Sequence, residues 1–282
     1  MTRPGRLVVC PTPIGNLEDI TLRTLGALRE ASVIACEDTR TTKVLLDRHG
    51  VDAERVRYDA HAERRAAPKL VERMLAGEVV ALVSDAGMPL VSDPGAVLVQ
   101  AAIAAGLAVE VLPGPSAALT ALVASGLPAE IWRFVGFLPR KRGELEAVLA
   151  SEETLVAFES PRRVAASLAV LADLDPERPV AVCRELTKLH EEIVRGSARE
   201  LADRYAGAEV RGEVVLVIGA AEPGAADGAA ATAAVRKLIE AGARPRTAAT
   251  VIAGLTGLQA NTLYEGAHEA KSKAPGPTAG TK

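Results

Sequence analysis

Three bends in this 282-residue chain combine glycine or proline with a polar side chain, and each directly follows an apolar run. They are Cys10-Pro11-Thr12-Pro13-Ile14-Gly15-Asn16, Ser84-Asp85-Ala86-Gly87-Met88-Pro89 and Pro113-Gly114-Pro115-Ser116. Glycine lets backbone approach a flat molecule closely, and in open α/β sheets ligands bind beyond the carboxyl ends of the strands. Any one bend also reads as an ordinary tight turn; three together, one with an aspartate, point to a cofactor cleft. Charged clusters fall at similar places. Glu37-Asp38-Thr39-Arg40 follows Val33–Cys36, Glu159-Ser160-Pro161-Arg162-Arg163 follows Leu155–Phe158, and Glu185-Leu186-Thr187-Lys188 follows Val180–Cys183. Each cluster fits a strand end followed by a capped, solvated helix, a reading that weakens when three fall at equivalent strand ends. Arg140-Lys141-Arg142, in a loop bounded by Pro139 and Gly143, fits a phosphate contact or a solvated loop.

Several familiar chemistries lack their motifs. G-x-G-x-x-G is absent after the first apolar run, and G-x-x-x-x-G-K-[ST] and G-x-S-x-G occur nowhere. The four histidines (His49, His61, His190, His268) are scattered, without zinc spacing. The three cysteines, Cys10, Cys36 and Cys183, sit singly in apolar runs and read as small buried hydrophobes in a reducing compartment. No metal is expected.

The elements that must position these residues alternate. Strands are predicted at Arg6–Cys10, Val33–Cys36, Arg55–Tyr58, Val79–Ser84 and Ala108–Leu112, with helices at Thr21–Ala31, Thr41–His49, Arg64–Ala76 and Pro94–Ala105. Uninterrupted apolar runs suggest strands buried on both faces, as in a parallel sheet. A second set has strands at Trp132–Phe137, Thr154–Phe158, Pro179–Cys183 and Glu213–Ile218, and helices at Gly143–Ala150, Pro161–Leu174 and Ser197–Tyr205. The uncharged stretch 111–129 is long enough to span a bilayer, but its glycines and prolines divide it into strand, turn, helix and turn. Asp93-Pro94 and Ser160-Pro161 read as helix caps followed by proline at the first helical position. Ser197 with Glu200 has capping-box spacing. The expected fold class is α/β, with two α/β domains (1–118 and 119–221), a linker at 222–231, a small helix-turn-helix-like extension at 232–270 and a disordered tail at 271–282.

Charge and composition narrow the partners. The net charge is −3, and aromatics make up 2% of the chain. That scarcity argues against a surface that reads bases by stacking on aromatic rings. Residues 229–282 hold seven Lys/Arg against three Glu, a net +4, so the body is acidic. The first residues hold too short an apolar stretch for a secretory signal, and the expected location is cytoplasmic.

Seven ordered segments carry a resemblance: PTPIGNLEDITLR (Pro11–Arg23), EDTR (Glu37–Arg40), VALVSDAGMPLVSDPG (Val80–Gly95), LPGPSAALTALVASGLP (Leu112–Pro128), GFLPRKRGE (Gly136–Glu144), ESPRR (Glu159–Arg163) and RELTKLHEE (Arg184–Glu192). They resemble the 16S ribosomal RNA cytidine 2′-O-methyltransferases of the tetrapyrrole-methylase superfamily, over about residues 6–219, and the helical tail resembles that family's C-terminal extension. The resemblance implies two α/β domains of the tetrapyrrole-methylase type with S-adenosylmethionine in the cleft between them, and a homodimer. It implies methyl transfer to the ribose 2′-hydroxyl of a decoding-centre cytidine in 16S rRNA of the small ribosomal subunit, with neither membrane nor DNA as a partner. By position, the cofactor is expected on Pro13, Ile14, Gly15, Asp85, Ala86, Gly87, Met88, Ser116, Ala117, Phe158 and Leu186. Two departures stand out: Met88 where the family often has Thr, and His61-Ala62-Glu63-Arg64 where it has a His-Glu-His-Asn-like stretch.

Methyl transfer to an alcohol oxygen is an in-line displacement in which the protein chiefly positions donor and acceptor. Lys188 is the first candidate for assisting the ribose hydroxyl, neutral if desolvated or charged as an electrostatic aid. Glu37, Asp38 and His61 are alternative proton acceptors, and Arg40 would hold phosphate or carboxylate partners. RNA contacts are expected from Arg140, Lys141, Arg142, Arg162, Arg163 and the basic tail. Two other readings remain open here: an S-adenosylmethionine-dependent C-methyltransferase of a tetrapyrrole, and a nucleotide-binding module without chemistry.

Overall fold

Runs of four to six residues, most of them apolar, become strands here, and the stretches between them become helices. A computed structural model describes residues 5–221, 228–256 and 258–269. In the first sheet, β1 (Arg6–Val9), β2 (Val33–Cys36), β3 (Glu54–Arg57), β4 (Val79–Leu82) and β5 (Ala108–Val111) run in the order β3-β2-β4-β1-β5. Every pairing is parallel. Helices cover both faces, which is why β2 is buried throughout. On one face, α1 (Leu22–Glu30) and α2 (Thr39–Arg48) contribute Leu25, Leu28, Leu45 and Leu46. On the other, α3 (Glu63–Leu75) and α4 (Ala96–Ala104) contribute Leu70, Met74, Leu98 and Ala102.

The second sheet holds β6 (Trp132–Phe137), β7 (Thr154–Glu159), β8 (Pro179–Arg184), β9 (Glu192–Ser197) and β10 (Val214–Ile218), ordered β6-β7-β10-β8-β9. It is mixed. β6 and β7 are parallel, while β10 runs antiparallel to both β7 and β8, and β9 antiparallel to β8. Leu145 and Leu149 of α6 (Arg142–Leu149), Leu168 and Leu171 of α7 (Val164–Leu174) and Leu201 of α8 (Ala198–Tyr205) fill one face. α5 (Ala117–Ser125) covers the other with Ala118, Ala121 and Leu122, joined there by Ile14 from the loop after β1. α5 therefore packs with the second sheet, although it follows β5 directly.

Three local expectations are corrected. β9 is a strand the sequence pattern did not reveal. Its residues EIVRGS sit half-buried at a sheet edge, without an apolar run. Asp93 does not cap α4: the helix starts at Ala96 behind Gly95, whose φ is +140°. A Cβ at Gly95 would lie 2.7 Å from Leu90 Cδ1, so only glycine fits. Ser160 does not cap α7, which starts at Val164 behind Arg163, an N-cap residue that makes no side-chain capping hydrogen bond. The capping box at Ser197 and Glu200 does form, in both directions.

Arg178 is buried at 3% exposure and donates to the carbonyls of Gly219 (2.6 Å), Ser151 (2.8 Å) and Leu149. The planar fork of guanidinium donors makes that three-way tie possible. Contacts divide the chain into compact units at 1–220 and 221–282. In the latter, α9 (Gly228–Glu240), α10 (Pro245–Thr256) and α11 (Ala260–Glu269) pack around Val235, Ala248, Ala249 and Leu263. α9 takes in residues 228–231 of the expected linker; residues 222–227 and the expected tail at 271–282 lie outside the described residues.

Candidate active site

The three bends interlock at the carboxyl edge of the first sheet. Thr12 and Gly87 exchange backbone hydrogen bonds (2.9 and 3.0 Å), and the Thr12 hydroxyl donates to the Ser84 carbonyl at 3.0 Å. The Ser84 hydroxyl in turn donates to the Gly87 carbonyl at 3.1 Å. The third bend closes on the first through Gly114, where a Cβ would lie 2.4 Å from Pro11 Cγ. Ser116 caps α5, accepting from the Leu119 N–H at 3.4 Å. Across the gap, the Asn16 N–H donates to Thr187 Oγ1 at 3.0 Å, and a Cβ on Gly15 would lie 2.5 Å from Lys188 Cγ. The loop after β1 thus sits against the loop after β8.

Between these loops lies a cavity of about 470 Å³. Ile14, the Asp85–Met88 turn, Ser116 and Ala117 line it from the first sheet's edge; Phe158 and Leu186 line it from the second. Nine of the eleven expected cofactor residues therefore share one cavity. Pro13 and Gly15 do not. Pro13 faces a separate hollow of about 40 Å³ beside Thr42 and Leu45, and Gly15 is taken up by the contact with Lys188. The volume falls within the range of about 300–1,000 Å³ usual for small-molecule sites. Apolar walls at Ile14, Met88, Phe158 and Val215, with carboxylates at Asp85, Asp93 and Glu213, suit a ligand that joins a flat base to a cationic group.

The model of the Tetrapyrrole (Corrin/Porphyrin) Methylases matches residues 6–202. The chain belongs to that family. A protein of Mesorhizobium japonicum named ribosomal RNA small subunit methyltransferase I is 48% identical over 92% of this chain and 90% of its own length. One of the same name from Micromonospora olivasterospora is 43% identical over 93% of this chain and 86% of its own. The crystal structure of uroporphyrin-III C-methyltransferase from Thermus thermophilus complexed with S-adenyl homocysteine superposes with a TM-score of 0.55. It is 24% identical and covers 76% of this chain and 97% of that one, a likeness of fold. As a tetrapyrrole methylase, the chain is a methyltransferase whose methyl donor is S-adenosylmethionine.

The titratable groups of this methylase separate by position. Lys188 Nζ donates to Glu185 Oε1 (2.8 Å) and Glu213 Oε2 (2.9 Å). Burial lowers its pKa, but the two carboxylates outweigh burial and raise it overall, so Lys188 is a cation and the neutral role is excluded. Asp38 caps α2 and is gripped by Arg40 (2.6 Å at the shortest contact). That pairing lowers its pKa to about 2, leaving a poor base. Arg40 is thereby committed to Asp38. His61 is exposed, away from the cavity wall, and its backbone N–H donates to Asp59. Glu37 is held up by burial and by Asp85, Asp59 and Asp38, but it too lies off the wall.

Asp93 is the carboxylate that the sequence reading missed. It lines the cavity, and burial followed by Glu37 and Asp85, with a smaller effect of Glu213, raises its pKa to about 6, against a lowering pull from Ser84. Its segment holds Leu90 (φ 72°) and Ser92 (φ 66°) in left-handed backbone, about 1–3 kcal/mol of strain each. The repeat SDAG at 84–87 and SDPG at 92–95 was a signal for it, masked by the resemblance of Asp-Pro to a helix cap. Ser160 and Pro161, read as a second cap, also line the cavity. Burial pushes the Cys183 thiol, also on the wall, up to about 11, so it is no nucleophile.

The expected RNA contacts also divide. Arg163 donates to the Leu138 carbonyl (3.0 Å) and the Pro139 carbonyl (2.6 Å) and pairs with buried Glu159 at 3.3 Å, so it holds the loop after β6 and is not available to RNA. Lys141 pairs with Glu144, and Arg142 with Glu146 and Asp173. Arg140 and Arg162 are exposed and have no hydrogen-bond or ion-pair partner among the described residues. No helix among the described residues is long and apolar enough to cross a membrane, and no cluster of His, Cys, Asp and Glu among them could hold a metal ion.

Proposed function

We propose that this methyltransferase methylates the ribose 2′-hydroxyl of a decoding-centre cytidine in 16S rRNA of the small ribosomal subunit. The observation that carries this reading is a carboxylate, Asp93, standing in the same cavity wall as the interlocked bends, in a chain nearly half identical to a relative named for small-subunit rRNA. S-adenosylmethionine, when bound, supplies a methyl group activated on sulfonium. The turn Asp85–Met88, with Ile14, Ser116, Ala117, Phe158 and Leu186, would hold it. Met88 acts there through its backbone and an apolar side chain, so the absent threonine hydroxyl removes no cavity wall. The carboxylates facing the cavity favour a cationic ligand and disfavour phosphate, which keeps the RNA backbone at the rim with Arg140 and Arg162.

The hydroxyl needs a proton acceptor with a pKa near working pH. Asp93 meets that need better than Asp38, which is too acidic, or Lys188, which is already protonated. Lys188 instead positions Glu213 at the cavity edge. The basic C-terminal unit would add phosphate contacts, and a homodimer would cover exposed Leu119 and Val123 of α5. The deciding experiment offers labelled S-adenosylmethionine with small ribosomal subunits lacking 2′-O-methylation, and in parallel with a corrin precursor. Label in a 2′-O-methylcytidine of 16S rRNA is the expected outcome; label only in the corrin overturns the reading.

A further inference from the structure

All three phenylalanines of the chain, Phe134, Phe137 and Phe158, meet beside the cavity. Phe158 meets Phe134 edge-on at 5.0 Å between ring centroids and Phe137 at 5.6 Å. The arrangement depends on an irregular strand. β6 pairs with β7 as Phe134↔Val156 and then Phe137↔Phe158, so β6 carries one residue more than its partner over that step. Side chains alternate along a strand. A regular β6 would therefore send Phe137 to the face of Val135, which is packed under α6 and α7. The extra residue, absorbed at Gly136 (φ 65°), turns Phe137 onto the face of Phe134 and Phe158.

The result is unusual for a large apolar ring. Phe137 lines the cavity yet remains 61% exposed. Core packing does not explain an exposed ring delivered by a bulge. The loop that follows it is fixed, since Arg163 holds the carbonyls of Leu138 and Pro139. Arg140 sits in that same loop and Arg162 directly precedes Arg163, and both are exposed cations without a partner among the described residues. An aromatic ring at a cavity mouth, with the Arg140 guanidinium in the next loop and Arg162 beside the arginine that ties that loop, fits a planar group carried on a phosphate backbone.

We propose that Phe137 is the platform on which the target nucleobase stacks while its ribose enters the cavity, with Arg140 and Arg162 on the flanking phosphates. The inference rests on the RNA-methylating reading above and names the residue that would select an unstacked nucleotide. The low aromatic content that argued against base stacking thus gives way to one placed ring.

Full-length variants test it, with unmethylated small subunits as the RNA and S-adenosylhomocysteine as the cofactor probe. Stacking on an aromatic is worth about 1–3 kcal/mol per base, or roughly 5- to 150-fold. Phe137→Ala and Phe137→Leu are expected to lose that much in kcat/KM and in subunit affinity measured by filter binding. Phe137→Trp and Phe137→Tyr, which keep a ring, recover most of the loss, and calorimetric affinity for S-adenosylhomocysteine stays as in the wild type throughout. The leucine variant is decisive, because it keeps apolar bulk and removes the ring; it also serves if the alanine variant folds poorly. Wild-type behaviour of Phe137→Leu overturns the platform, as does a loss of S-adenosylhomocysteine affinity that parallels the loss of rate. If the wild-type enzyme transfers no methyl to subunit RNA, the functional reading falls and takes the platform with it.

Discussion

The two walls of the cavity are built from different materials. On the first sheet's side, backbone does the shaping: Thr12 and Gly87 exchange hydrogen bonds, and Gly114 sits where a Cβ would strike Pro11. On the second sheet's side, side chains do it, with Phe158 of β7, Leu186 just after β8 and Glu213 just before β10. A backbone wall tolerates changes of side chain but not an added Cβ where strands of chain touch. A side-chain wall tolerates small shifts of backbone but not truncation. Asp93 breaks the pattern, as a side chain on the backbone-built wall, and it is the group we assign to the reaction.

The largest expected effect tests that exception. Asp93→Asn should lower turnover by about 10²- to 10⁴-fold while calorimetry finds cofactor affinity near the wild-type value. The wild-type rate should fall as pH drops through about 6, where the acceptor becomes protonated, and the variant should lose that limb. Stability has the opposite sign. A carboxyl raised from 3.8 to about 6 favours folding when protonated, so its contribution is full below about pH 3.8 and lost as pH rises through about 6. Thermal melting at pH 7–8 should therefore show the asparagine variant more stable than the wild type. A variant that is both inactive and less stable would point to structural damage instead.

Next in size is the support behind the side-chain wall. Leu155 of β7 is fully buried, and Leu155→Ala should cost about 2–5 kcal/mol, read as a lower urea midpoint. The backbone wall is tested by Gly114→Ala, which overpacks against Pro11 at an expected cost of about 1–3 kcal/mol and weakens S-adenosylmethionine binding in calorimetry. Full cofactor affinity in that variant would refute the claim that main-chain contact shapes this side. The smallest effect belongs to Lys188→Met. Its ion pairs are partly solvated, so urea unfolding should move by no more than about 1 kcal/mol, and the limb near pH 6 should remain.

The same contrast explains what could be read from residues alone. Bends whose glycines and prolines are required by close approach announce themselves, so Ile14, the Asp85–Met88 turn and Ser116 were legible. The parallel sheet was legible too, because strands buried on both faces, such as Val33–Cys36, are apolar without interruption. The direction of β10 was not, since VVLVI reads alike either way and its orientation is set by the intervening hairpin. Nor was β9, whose charged edge residues resemble a loop. Asp93 and Ser160 read as caps from sequence because a cap before proline and a polar residue freed for a cavity share one pattern. Phe137 required knowledge of a strand irregularity that only pairing reveals.

The mutual grip of Pro11 with Gly114 and of Thr12 with Gly87 means that these distant stretches of chain behave as a single mechanical part. Injury to one should already have relaxed the others. A second replacement within the trio should then add less than it does alone, an energetic coupling that a double-mutant cycle measures directly.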